Sequence, residues 1–328
     1  MSEELETKKV YITRAIPNDG IRILEEAGFD ISISKKDGVL TKEELINELS
    51  KNKYDAVLCL LTDSIDSDIF DAVPSAKIFS NYAVGYGNID VEEANNRGIT
   101  ITNTPGVLTD TVAEHTIALM LSITSRIVEA DKFIREGKFV GWSPSLFLGT
   151  DLKGKTLGIL GAGRIGKRVA HIASRGLGMK ICYYDIKKDE EFDNKYEAEF
   201  KSNIDDVLVS SDVVSIHVPL LDSTKRLINK EKLSKMKQSA YLINSSRGKV
   251  VDEVALVDAL KNKTIKGAAL DVFENEPMLA DGLTDLNNVV ITPHIASATE
   301  ETRGKMSQIA AQNITDFLSG KTPENIVM

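Results

Sequence analysis

Short apolar runs of about four to eight residues, alternating with helix-length stretches, constrain this chain more than any other feature. KKVYIT (8–13), DISIS (30–34), YDAVLCLL (54–61), AKIFS (76–80) and GITIT (98–102) read as strands. Among them, Pro17 to Ala27 reads as a helix with Gly28 just past its end, and Thr41 to Ser50 as another. Strands this apolar, each followed by a helix, call for a parallel sheet covered on both faces.

The style changes near residue 103. The stretch from Asn103 to Gly137 reads as one long apolar-rich helical segment after a Pro-Gly turn, with Thr111 and Glu114 spaced as a capping box. Its apolar residues are too many for a one-sided surface helix, which predicts burial between domains or subunits. A second strand–helix series starts at KTLGIL (155–160). MKICYYD (179–185), DVVSIHV (212–218), AYLIN (240–244), KGAALDV (266–272) and NVVIT (288–292) continue it. A last helix runs from about Glu300 to Leu318, with Met306, Ile309, Ala310, Ile314 and Phe317 on one face. The plan is two α/β units, which 328 residues can supply with a core each.

The formal net charge of −9 disfavours nucleic acid and anionic membrane as partners, since both would repel the chain. No run approaches the roughly 18 apolar residues of a membrane span, and MSEELETKKV does not read as a secretory signal. Cys59 and Cys182 are too few for a disulfide framework or a thiolate metal site, and both sit in strand-like runs. Buried free thiols in a cytoplasmic protein without a metal centre are the expectation.

After KTLGIL comes Gly161-Ala-Gly163-Arg-Ile-Gly166, then a helix. Between a strand and a helix, this G-x-G-x-x-G spacing has a mechanism. Gly161 permits the tight turn, Gly163 lets the backbone approach a pyrophosphate, and Gly166 allows close helix–strand packing. The helix N-terminus then turns free N–H groups toward the phosphates. Asp185, ending the next strand, can accept from the ribose hydroxyls and would repel the extra phosphate of NADP. NAD is the expected cofactor and NADP the lesser one, with Lys187 and Lys188 softening the discrimination.

Hydride transfer to a 2-keto acid needs a cation for the carboxylate, an acid for the new alkoxide, and a group that keeps this acid protonated and oriented. Arg247 in SSRG, Glu276 in ENEP and His294 in TPHIAS follow predicted strands, and open α/β sheets bind ligands at those ends. Singly, each has a plainer reading as a turn arginine, a solvated charge or a structural histidine. His115 and His171 read as packing or surface residues within helices, and His217 as a strand-end residue beside the cofactor crevice.

The ordered set G-x-G-x-x-G, Asp185, NSSRG, ENEP and TPHIAS resembles the D-isomer-specific 2-hydroxyacid dehydrogenases over essentially the whole chain. The resemblance implies a Rossmann dinucleotide-binding domain, residues 105–296, inserted into a flavodoxin-like substrate domain of residues 1–104 and 297–328. It implies that Arg247 binds substrate, that Glu276 supports the histidine, and that His294 is the acid/base. It also implies that the loop NYAVGYG (81–87) offers the N–H groups of Val84 and Gly85 to the substrate carboxylate. Gly87 stands where the family usually has an aspartate, so any role of that side chain is absent. Further cofactor contacts are implied at Thr111, Arg164, Ile165, Val218, Pro219 and Thr224. Ser245, Ser246, Asp271 and Ser297 complete that set, with Asp271 on the nicotinamide carboxamide. A homodimer is implied, with the apolar helix 111–134 as its interface, and so is cleft closure about hinges near 103–106 and 292–298.

CLLTDSID (59–66) and GWSPSLFLG (141–149) look most like the glyoxylate/hydroxypyruvate reductases of that family. The rival reading is 3-phosphoglycerate dehydrogenase, whose relatives carry an arginine where this chain has Thr62-Asp63-Ser64. Asp63 is expected to repel a phosphate, and a chain ending at Met328 is expected to leave no room for an appended regulatory domain. D-lactate dehydrogenase activity is a further alternative. A non-catalytic NAD-sensing corepressor is the remote one, since its role would tolerate loss of the triad that is intact here. Trp142 lies on a loop that in relatives reaches a neighbouring subunit's active site, and there it would limit substrate size.

Overall fold

The computed structural model describes residues 7–327, which divide into two compact units. Residues 7–108 and 298–327 form one and residues 109–297 the other.

The first unit holds β1 (Lys9–Ile12), α1 (Asn18–Glu26), β2 (Asp30–Ile33), α2 (Lys42–Leu49), β3 (Ala56–Leu60) and α3 (Ser67–Ala72). β4 (Ile78–Tyr82), α4 (Val91–Asn96) and β5 (Thr100–Thr102) follow. The strands form one parallel sheet in the order β2-β1-β3-β4-β5, a flavodoxin-like order. Successive residues of a strand face opposite layers. Tyr11, Val57, Cys59 and Phe79 pack on one side, and Val10, Ile12, Leu58 and Ile78 on the other. Thr41 caps α2 with a reciprocal capping box through Glu44.

The second unit starts with α5 (Thr109–Thr124) and α6 (Ile127–Arg135), then β6 (Thr156–Leu160), α7 (Arg164–Leu177), β7 (Lys180–Tyr184), α8 (Glu190–Tyr196) and β8 (Glu199–Phe200). It continues through α9 (Ile204–Ser210), β9 (Val213–Ile216), α10 (Lys230–Lys235), β10 (Tyr241–Asn244), α11 (Glu253–Lys261), β11 (Gly267–Leu270) and β12 (Val289–Ile291). All seven strands are parallel, in the order β12-β11-β10-β9-β6-β7-β8. This is the doubly wound Rossmann order with one strand added, and its order reverses between β6 and β9. Leu157, Ile159 and Tyr183 fill one face, and Leu160, Cys182 and Val214 the other.

The final helix α12 (Glu300–Leu318) returns to the first unit, where Met306, Ala310 and Ile314 pack with Leu24 of α1. Gly20 makes this approach possible, because a Cβ there would lie 2.3 Å from the Ser307 carbonyl oxygen. Gly20→Ala gains about 1 kcal/mol of helix propensity but must push two helix backbones apart. We expect a net loss of about 1–3 kcal/mol, read as a lower urea midpoint. An unchanged midpoint would mean that the helices do not pack this closely.

Two expectations are corrected. The segment 103–137 is not one helix, because it breaks at Arg126, whose φ is +57°. α5 is buried along one side, whereas α6 has no buried residue and exposes Ile127, Val128 and Ile134. Thr111 lies inside α5, so the predicted Thr111–Glu114 capping box does not start the helix. Among the described residues no helix is long and apolar enough to cross a membrane.

Candidate active site

The glycine motif lies at the reversal of strand order, in the turn from β6 into α7. Gly161 has φ +96°, and a Cβ on it would lie 2.9 Å from the His217 carbonyl carbon and the Val218 nitrogen after β9. Gly166 sits against the Gly161 carbonyl oxygen, where a Cβ would come within 2.2 Å. Gly163 differs from both. It is the N-cap of α7, has no side-chain cap, and faces open space. An uncapped helix N-terminus with room in front of it fits a dinucleotide pyrophosphate.

Arg164 and Ile165 are the first residues of α7. Asp185, after β7, accepts from the Ala162 and Ile186 amides, each at 2.7 Å. Its carboxylate is thereby fixed beside the glycine turn, at a hollow of about 390 Å³ shared with Lys187 and Lys188. Val218 and Pro219 follow β9, and the Thr224 hydroxyl closes their loop by donating to the Pro219 carbonyl. Burial of the His217 ring lowers its pKa to about 4, so this histidine is neutral at physiological pH, with Ser215 Oγ 2.8 Å away.

Arg247, Glu276 and His294 lie on three loops of the same unit. The Arg247 loop follows β10, where buried Asn244 accepts from the Ser246 amide and hydroxyl and donates to the Arg247 carbonyl. Gly248 packs backbone to backbone against Phe273, since a Cβ there would fall 1.9 Å from the Phe273 carbonyl carbon and oxygen. This contact brings the Arg247 loop beside the loop of Glu276. Glu276 Oε1 accepts from the Phe273 amide at 2.9 Å, while Oε2 lies 2.8 Å from His294 Nδ1.

Burial pushes the Glu276 carboxyl upward, but the hydrogen bond and charge of His294, the Phe273 amide and Arg247 outweigh it. Glu276 therefore titrates below the usual carboxylate range. Burial pushes Arg247 down, and the nearby Glu276 charge opposes that. The carboxylate orients the imidazole by taking its Nδ1 proton in a hydrogen bond, which leaves Nε2 for chemistry.

Sequence reasoning missed what holds the histidine. His294 has φ +54°, a left-handed conformation that costs energy for a non-glycine residue. Fully buried Asp271 fixes this turn by accepting from Thr292 Oγ1 at 2.6 Å and from the Ile295 and Ala296 amides at 2.8 Å. His115 of α5, read from sequence as packing or surface, lies 3.2 Å from Thr292 Oγ1 and 3.5 Å from Asp271 Oδ1. No sequence signal links α5 to the turn after β12. Ser245 is buried with its hydroxyl 2.7 Å from Thr116, and Ser297 is half-buried at the end of the unit. Thr111 is in the first turns of α5.

Val84 and Gly85 belong to the other unit, in the loop after β4. Buried Asn81 donates to the Gly85 carbonyl and to Asn88, which in turn holds the Leu60 and Asp63 carbonyls. Asp63 corrects an expectation. It is 5 % exposed and accepts from Thr13 Oγ1 and the Leu60 amide, tying β1 to β3. Burial raises its pKa. Its carboxylate is spent inside the fold and supplies no surface charge to repel a phosphorylated acid.

A cradle for pyrophosphate on one side of the strand ends, and on the other an imidazole held by a carboxylate next to an arginine, are the equipment of a dinucleotide-dependent oxidoreductase. Comparison with known proteins agrees. Residues 117–296 match the family described as "D-isomer specific 2-hydroxyacid dehydrogenase, NAD binding domain". The chain is 49 % identical over 321 residues to a glyoxylate reductase of Thermofilum pendens, covering 97 % of this chain and 94 % of that one. It is 46 % identical to a glyoxylate reductase of Thermococcus litoralis, covering 97 % and 96 %. Among solved structures, the TT0316 protein from Thermus thermophilus superposes with TM-score 0.91 at 38 % identity, covering 98 % and 100 %. An NADPH-dependent glyoxylate/hydroxypyruvate reductase from Sinorhizobium meliloti superposes with TM-score 0.84 at 31 % identity, covering 98 % and 96 %. The chain belongs to the D-isomer-specific 2-hydroxyacid dehydrogenase family.

Proposed function

We propose that the protein reduces a small 2-keto acid, glyoxylate or hydroxypyruvate, to the 2-hydroxy acid, with NADH preferred over NADPH. The 2.8 Å pairing of His294 with Glu276, beside Arg247, carries this reading. The named activity of the relatives supports the choice of substrate. When bound, the dinucleotide supplies a hydride to the carbonyl carbon. Arg247 holds the carboxylate and polarises the ketone. His294 gives its Nε2 proton to the carbonyl oxygen as negative charge develops there, and Glu276 holds the imidazole in that orientation. Asp271 is proposed for the nicotinamide carboxamide on the family likeness alone, since its carboxylate is fully buried and already accepts three hydrogen bonds. The Val84 and Gly85 amides are proposed for the substrate carboxylate on the family likeness alone.

Asp185 is the residue proposed to refuse NADP. Asp185→Ser removes the repulsion of a 2′-phosphate, and the ratio of kcat/KM with NADPH to that with NADH should rise by about tenfold or more. An unchanged ratio would remove Asp185 from cofactor selection. The function itself is tested by NADH oxidation with glyoxylate and with hydroxypyruvate as acceptors, and absence of turnover with both would overturn it.

A homodimer is proposed from the apolar surface of the second unit. Val140 is 99 % exposed, Trp142 85 % and Leu148 63 %, next to the exposed Ile134 of α6. Val128 and Leu148 border a hollow of about 780 Å³ that Tyr241 and Val289 also line. Large apolar side chains left this exposed fit an interface. Sedimentation should give twice the chain mass, and a monomer at assay concentration would contradict it. We propose further that Trp142 limits substrate size, so Trp142→Ala should raise rates on larger keto acids relative to glyoxylate. Unchanged relative rates would refute this. A reducing, cytoplasmic setting is proposed on the two free buried thiols.

A further inference from the structure

We propose that Glu253 is a positioning residue that holds the loop presenting Glu276 to His294. This rests on the proposed role of those two residues. Glu253 opens α11 and is 4 % exposed. Its Oε2 accepts from the Glu274 amide at 2.7 Å and its Oε1 from the Ala280 amide at 2.8 Å. One carboxylate therefore grips both ends of the segment that carries Glu276. Between the two anchors, Asn275 to Met278 are exposed, and the Met278 amide donates to the Asn275 carbonyl at 2.9 Å. Glu274 returns the contact from its own side. Its carboxylate accepts from the Glu253 amide at 3.3 Å and is paired with Arg226 at 2.7 Å.

Burying a carboxylate is costly unless its oxygens find donors. A surface loop could leave its two end amides to water at little cost. A buried acid that bridges residues six apart instead fixes the path between them, and with it the Glu276 side chain. Asp252 already caps α11 by accepting from the Ala255 amide, so helix capping does not account for Glu253.

Glu253→Gln keeps the shape but sets an NH₂ group against one of the two amide donors. In the full chain, kcat/KM for glyoxylate should fall about tenfold. The alkaline limb of its pH profile should also move to lower pH, in the same direction as in Glu276→Gln, with NADH affinity kept within twofold. A Glu253→Gln profile that superposes on wild type while Glu276→Gln moves would overturn the clamp. If Glu276→Gln itself leaves the limb in place, the Glu276–His294 reading fails, and hydrogen exchange decides the clamp alone. The Glu274 and Ala280 amides should be protected in the wild-type chain, whether or not the variant folds. Fast exchange at either would overturn the proposal.

Discussion

Replacing His294 by Gln is expected to lower kcat for keto-acid reduction by about 10²–10⁴-fold, the usual worth of a positioned general acid. Glutamine can still donate a hydrogen bond to the carbonyl oxygen, but it cannot transfer a proton at neutral pH. NADH affinity should change little, because the Gly161–Gly166 turn and Asp185 lie elsewhere on the sheet. Glu276 adds a test at low pH. Its carboxyl is held below the usual range by His294, so the pair is present at neutral pH and persists as pH falls through about 4.3, where a free glutamate would protonate. The acid limb of the wild-type kcat/KM profile should therefore lie below that value. A limb well above it would mean that Glu276 and His294 are not paired during turnover. Near-wild-type kcat in the His294 variant would remove the histidine from the chemistry.

Gly248→Ala is expected to lower kcat/KM by about 10²-fold or more through packing alone. A Cβ 1.9 Å from the Phe273 carbonyl group cannot be accommodated by a side-chain movement, since both contacting groups are backbone. Ordinary contact needs a further ~1.5 Å, and that displacement separates the Arg247 loop from the Glu276 loop. Misplacement of about 1 Å can cost about 10²-fold in rate. kcat/KM should therefore fall by that much or more, with a lower melting temperature from the overpacked contact. The control is Lys249→Ala, an exposed neighbour, which should behave as wild type. Wild-type kinetics for Gly248→Ala would show that the two loops are not in backbone contact in solution.

Residues whose role is local were legible in the sequence. Gly161, Gly163 and Gly166 act within one turn, and their spacing between a strand and a helix predicts the cradle between β6 and α7. The strands were legible for a similar reason, because full burial writes a continuous apolar run such as VVSI or YLIN. The span of α12, read as about Glu300 to Leu318, agrees with the structure because its apolar residues repeat at helical spacing, and Thr299 caps it.

What stayed hidden depends on partners far away in the chain. Asp63 looks like a loop charge until Thr13, 50 residues earlier, is found donating to it. His115 looks like a helix residue until Thr292 is found 177 residues later. Only the fold shows that Phe273 occupies the space where a side chain on Gly248 would be. The break at Arg126, where φ is +57°, carries no glycine or proline to announce it.

The protein is expected to prefer a small, unphosphorylated 2-keto acid with NADH. Initial rates of NADH oxidation with glyoxylate, hydroxypyruvate, pyruvate and 3-phosphohydroxypyruvate, measured side by side on the wild-type chain, decide this. The highest kcat/KM should fall on glyoxylate or hydroxypyruvate. With Asp63 buried, no charge repulsion stands behind that ranking, so the phosphorylated acid is the informative competitor. A clear preference for 3-phosphohydroxypyruvate would contradict the substrate assignment while leaving the Arg247–Glu276–His294 chemistry in place.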